Sequence, residues 1–249
     1  MMVITSTSVG FLLTSLGLLF CSLRFFRAFQ NFKGGKSESR IGILLSVFLF
    51  NFALVTGTLG FGTLFFANNP KILHTIVVVS HFFLTTTAIL GIYVVSYTFF
   101  PWISSRLMAV FPLFSGVMLI ILSIVQDSKP FLDRSGVIDF NMSRPVSVLL
   151  SYLLFFGIGS VFVIFTRLLY QAKSYEVRII SFVMSVFAFL GILNAFFRYL
   201  LPESMGSQFL RTGIYDTVHI LTGVAFISLF ALPPIILLYL SKNKNRREE

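Results

Sequence analysis

The chain has 249 residues, of which 56% are hydrophobic and only 11% charged, with a formal net charge of +10 and a mean hydropathy of +0.92. A soluble domain of this length carries far more charge to cover its surface, so composition excludes a soluble fold and points to an integral membrane protein. The basic residues gather at the ends of apolar stretches, so the positive charge reads as a signal of membrane orientation and not of nucleic-acid binding.

Seven charge-poor segments follow one another, at 1–23, 41–70, 72–99, 107–126, 145–166, 179–197 and 217–241. Each approaches or exceeds the ~20 residues that carry a helix across ~30 Å of hydrocarbon. Helices are required, because an open strand in lipid leaves backbone polar groups unpaired. The expected fold class is therefore an all-α integral membrane protein, one seven-helix domain over residues 1–249. The first segment lacks a basic leader and a small-residue cleavage site, so it reads as a retained span. Its cysteine, Cys21, is the only one in the chain and permits no intramolecular disulfide.

The expected connections are short, with loops at 30–40, 100–106 and 172–178 on one side. The longest, 127–144, lies on the other side and is too small for a separate domain. It contains Asn141-Met142-Ser143, a glycosylation tripeptide of the kind that chance also supplies. Thirteen basic residues fall on the first side, including Arg24, Arg27, Arg106, Arg167 and Lys242, against six on the second: Lys71, Lys129, Arg134, Arg144, Arg198 and Arg211. The positive-inside rule then places the N-terminus outside and the C-terminal tail in the cytoplasm; the expected location is the plasma membrane.

The segments carry traces of a duplication. Arg27 and Lys33 recur as Arg167 and Lys173, Glu38 and Arg40 as Glu176 and Arg178, and His81 as His219. Ser46-Val47-Phe48-Leu49-Phe50 recurs as Ser185-Val186-Phe187-Ala188-Phe189. The spacings are 138, 139 and 140 residues, so gaps of one or two residues reconcile them. Two three-helix halves, 3–99 and 145–241, would then flank a linker helix at 107–126. An odd linker keeps both halves the same way up, giving a 3+1+3 parallel-repeat bundle. In topology and size this resembles the SWEET sugar transporters, where two three-helix units flank a linker helix. That family pivots on prolines in the first two helices of each unit, and 9–23, 41–69, 146–166 and 179–197 contain none. The likeness implies transport of a small solute by analogy of topology alone.

Polar side chains inside a span are costly and face the bundle interior by default. His81 lies some ~13 Å into its helix, at 1.5 Å per residue, and His219 a little shallower. Asn51, Asn194, Arg198 and Asp216 complete the candidate ligand-binding set, with Arg198 and Asp216 able to pair across the turn between the sixth and seventh spans. If the duplication holds, His81 and His219 are symmetry mates facing each other across the centre. Three readings are open: hydrogen-bonding contacts between helices, an outward-facing polar cavity for a small solute, or paired axial ligands to a b-type haem. Imidazole titrates near neutral pH, so the second reading allows proton coupling. His74 has no counterpart in the last span, and no further ligand at matching depth supports a metal site. Pro233-Pro234 should kink the seventh span. No span contains a lysine for a retinal Schiff base, and the nucleotide-binding, zinc-protease and serine-hydrolase motifs are missing. The expectation is a non-enzymatic membrane protein that binds or translocates a small solute. A receptor-like or scaffold subunit acting through a partner membrane protein is the alternative, with the lipid bilayer a partner in either case.

Overall fold

A computed structural model describes residues 4–30, 36–100, 102–126, 129–132, 138–171, 175–196, 199 and 221. Their order is α1 (Ser6–Gln30), α2 (Lys36–Phe66), α3 (Pro70–Phe99), α4 (Ser105–Val125), β1 (Phe131–Leu132), β2 (Ile138–Asp139), α5 (Arg144–Gln171) and α6 (Tyr175–Ala195). Among these, α1 to α5 each contain a stretch long and apolar enough to cross a membrane, and α6 has a shorter apolar stretch, Ser181–Leu193. The described residues are nearly all helical, and the five long apolar helices make this a multi-pass membrane protein. The seventh segment, 217–241, lies outside the described residues apart from Leu221.

The helices outrun their apolar cores. Residues 36–40, expected in a loop, form the first turn of α2, and α1 continues through Arg27 to Gln30. Likewise α6 begins at Tyr175, inside the loop expected at 172–178. The physical reason is that Lys, Glu and Arg end the hydrocarbon-compatible stretch without ending the helix, since all three are good helix formers with side chains long enough to reach water.

Local signals fix the starts of α1 and α3. Thr5 and Ser8 bond reciprocally, each backbone N–H donating to the other's hydroxyl at 3.0 Å, which satisfies amides that a helix start leaves open. Asn69 caps α3 by accepting from the Ile72 N–H, and Pro70 occupies a first-turn position where no N–H is needed.

Successive helices pack as neighbours, and α3 is the central post, touching α2, α4 and α5. Small residues set these approaches. A Cβ on Gly116 of α4 would collide with Thr85 of α3, and one on Gly91 of α3 would lie 2.9 Å from Ser160 of α5. Between α1 and α2, the Ser15 hydroxyl donates to the Ala53 carbonyl at 2.8 Å and the Ser22 hydroxyl to the Ser46 carbonyl at 2.7 Å. Between α5 and α6, the Thr166 hydroxyl donates to that of Ser185.

The two copies of the five-residue motif are buried alike. Ser46, Phe48 and Leu49 are buried while Val47 and Phe50 are exposed; Ser185, Phe187 and Ala188 are buried while Val186 and Phe189 are exposed. Each motif serine also meets the preceding helix.

The two ends of the bundle differ. At one end β1 and β2 form a small antiparallel hairpin, pairing Phe131 with Asp139 and Leu132 with Ile138. It is the one departure from the all-helical expectation among the described residues. Ile138 is fully buried and Phe140 nearly so, in a cluster with Phe11, Leu73 and Val77 from α1 and α3. At the opposite end a dense apolar cluster joins five helices through Cys21, Leu45, Phe48, Val95, Phe165 and Met184. There the Arg167 guanidinium lies 4.5 Å from the centre of the Phe99 ring, a cation–π contact tying α5 to α3.

Candidate functional site

Between the hairpin and the dense cluster lies a cavity of about 140 Å³. Its walls come from α1 (Phe11, Thr14, Leu18), α2 (Phe52, Val55, Thr56, Leu59) and α3 (Val77, Ser80, His81, Leu84). Opposite these stand Leu150, Leu154, Ile158 and Val161 of α5, with Met184, Phe187, Ala188, Gly191 and Ala195 of α6. Phe140 and Met142 close it on the hairpin side, with Tyr199 beside them. The cavity therefore occupies the hairpin half of the bundle and ends near its middle, where Leu18, Val161 and Met184 also belong to the dense cluster.

The hairpin strap is held in place. The Ile138 N–H donates to the Thr7 hydroxyl at 3.3 Å, and the Gln126 amide donates to the Asn141 carbonyl. Asn141 adopts φ 46°, the left-handed region that asparagine tolerates better than most side chains. Its N–H donates to the Asp139 carboxylate at 2.8 Å, a local turn that sets Phe140 and Met142 against the cavity.

His81 is the anticipated residue that reaches this site. It is 3% exposed, and its Nδ1 lies 3.0 Å from the Ser123 hydroxyl on α4. The imidazole thus joins the cavity wall to a helix that supplies none of the lining. One turn along, Thr85 donates to the His81 carbonyl at 2.8 Å and packs against Gly116 of α4. The α3–α4 contact therefore fixes the backbone and ring of His81 together.

Of the other anticipated residues, Asn51 is the one whose side chain is described. Asn51 is not in the lining; its amide donates back to the Val47 carbonyl of its own helix. Asn194 lies in the last turn of α6, and its side chain is outside the described residues. Arg198, Asp216 and His219 also lie outside them, as does any pairing of the two histidines. The cavity expected to be polar is mostly apolar along its described walls, with Thr14, Thr56, Ser80 and His81 of α1 to α3 and Tyr199 beyond α6 as its polar side chains. Among the described residues, no group of three or more His, Cys, Asp or Glu is placed to hold a metal ion.

Three features escaped the sequence: the apolar walls, the strap and the Ser123 partner. Only Ser123 left a trace. Pro112, Ser115, Gly116, Leu119 and Ser123 recur at helical spacing along α4 and are its buried residues. No family model matches the chain, and no curated protein or solved structure matches it.

Proposed function

We propose that this is a solute-binding membrane protein of the transporter kind, which takes a small molecule into the cavity from the hairpin side. The observation that carries the reading is the cavity itself. Leaving about 140 Å³ unpacked forgoes contacts that single substitutions to larger apolar residues would supply. A space kept at that cost between five helices, roofed by a separate strap, is what a ligand site requires.

The membrane frame is part of the proposal. The hairpin end faces outside, because Arg27, Arg106 and Arg167 lie at the opposite end, which the positive-inside rule assigns to the cytoplasm. The plasma membrane is the natural place for a protein with that bias. Seven spans in a 3+1+3 arrangement are supported by the matching burial of the two motifs on α2 and α6 and by the equivalent pairing of α1 with α2 and α5 with α6. The inner cluster then closes the cytoplasmic route in this conformation. A cavity the size of a single ring weighs against a tetrapyrrole held by His81, and a receptor or scaffold role gains no specific support.

The test is thermal stabilisation of the detergent-purified protein by a library of uncharged single-ring and short-chain solutes. At least one compound should raise the melting temperature of wild type and leave Ala188→Phe, which fills the cavity, unaffected. Val163→Phe, on an exposed face of α5, should respond as wild type does. Absence of any stabilising compound, or equal stabilisation of both variants, would refute the proposal.

A further inference from the structure

The hydrogen-bonding state of the cavity wall defines what it can recognise. The hydroxyl protons of three wall residues are already committed to their own helices. Thr14 donates to the Gly10 carbonyl at 2.8 Å, Thr56 to those of Phe52 and Ala53, and Ser80 to that of Val77 at 2.7 Å. None of them offers a donor to a ligand without breaking a bond in a low-dielectric setting.

His81 differs because its partner determines its tautomer. Ser123 is buried, and its hydroxyl has no acceptor among the described residues other than His81 Nδ1. A buried hydroxyl that only accepted would leave its own proton unsatisfied. The arrangement that satisfies both groups has the Ser123 hydroxyl donating to Nδ1, which puts the ring proton on Nε2. His81 then brings a neutral N–H donor to a wall that also includes Tyr199 and, among the described residues, holds no Asp, Glu, Lys or Arg.

Size supplies the second restriction. A cavity of about 140 Å³ is close to the 150 Å³ apolar cavity known to admit benzene. A single six-membered ring matches that volume, and a saturated fused pair is larger. We propose that the ligand is a neutral, predominantly apolar molecule of single-ring size carrying one hydrogen-bond acceptor, such as a carbonyl or ether oxygen, which receives the Nε2–H of His81. This rests on the cavity being a ligand site and adds the chemical class of what enters it.

Matched probes test the class on the full-length protein in detergent. Cyclohexanone, methylcyclohexane, cyclohexylammonium and the fused-ring ketone 2-decalone are compared by calorimetry, each against Ala188→Phe to subtract partition into the micelle. Cyclohexanone should bind wild type about fivefold more tightly than methylcyclohexane, the difference one hydrogen bond makes. Neither the ammonium ion nor 2-decalone should bind specifically. In His81→Phe the ketone should lose its advantage over the hydrocarbon. Equal binding of ketone and hydrocarbon to wild type, tight binding of the ammonium ion or 2-decalone, or an advantage that survives in His81→Phe would each overturn the assignment. The wild-type comparison stands even where His81→Phe does not fold. If some probe binds wild type and not Ala188→Phe but in the wrong order, the ligand class fails while the site survives; if a wider solute library also finds nothing, both fail.

Discussion

Replacing Gly116 by alanine adds one methyl group at the closest approach of α3 and α4. Helix propensity alone favours the change by about 1 kcal/mol. Against it, the new Cβ would lie 2.7 Å from the Thr85 Cβ and still closer to the Thr85 methyl and hydroxyl. Rotating the side chain cannot relieve the contact, because Cβ does not move with χ1 and the hydroxyl is bonded to the His81 carbonyl. The helices must separate, at the ~1–3 kcal/mol typical of overpacking. Separation also stretches the bond between His81 and Ser123, worth about 1 kcal/mol. The net loss is roughly 1–3 kcal/mol. Gly159→Ala on α5 is the matched control, because nothing lies within 4 Å of a Cβ there, and it should gain up to about 1 kcal/mol. At about 2–4 °C per kcal/mol for a chain of this size, the two variants should melt roughly 2–16 °C apart, with Gly116→Ala the lower. Melting curves in one detergent decide the matter. If Gly116→Ala matches or exceeds Gly159→Ala, the close approach of α3 and α4 does not hold and the positioning of His81 through α4 goes with it.

Three further outcomes follow from individual contacts. Ser123→Ala removes the partner of a buried imidazole and should destabilise by about 1–3 kcal/mol, whereas Ser123→Thr, which keeps a hydroxyl, should lose less; chemical denaturation in mixed micelles measures both. Ile138→Ala empties a fully buried position in the strap and should cost about 2–5 kcal/mol, with faster hydrogen exchange at 138–142 than at the dense cluster; uniform exchange across both would contradict a separately held roof. Ser181→Ala removes a buried hydroxyl that has no hydrogen-bond partner among the described residues and should be neutral or stabilising by about 1 kcal/mol, so a clear loss in melting temperature would reveal a bond from outside them.

The reach of the sequence can be judged residue by residue. The apolar runs located all six described helices, because hydrocarbon imposes length and composition together. Charges at 36–40 misplaced the start of α2, since they mark where lipid ends and not where the helix does. The two strands are two residues each, too short for any alternating pattern, and Ile138 and Phe140 look like ordinary loop residues until Thr7 is known to lie beside them. His81 stood out because an imidazole in a span is expensive. Leu84 and Val55 did not, although they line the same cavity: in a lipid-embedded helix, side chains facing a cavity, a neighbour or lipid are chemically alike. Asn51 was misleading for the converse reason, since a polar side chain can satisfy itself on its own helix and never reach the interior.

The bond from Ile138 to Thr7 joins residues 131 positions apart, and this separation orders the making of the protein. Thr7 emerges at the start of synthesis and waits, while α1 and α2 can zip together from neighbouring sequence. Nothing can seat against Thr7 from this strap until four helices and the turn beyond them have been delivered. The strap is nevertheless delivered before α5 and α6, so it can seat against Thr7 before the far wall of the cavity exists, in a long-range step that closes one of the widest loops among the described residues.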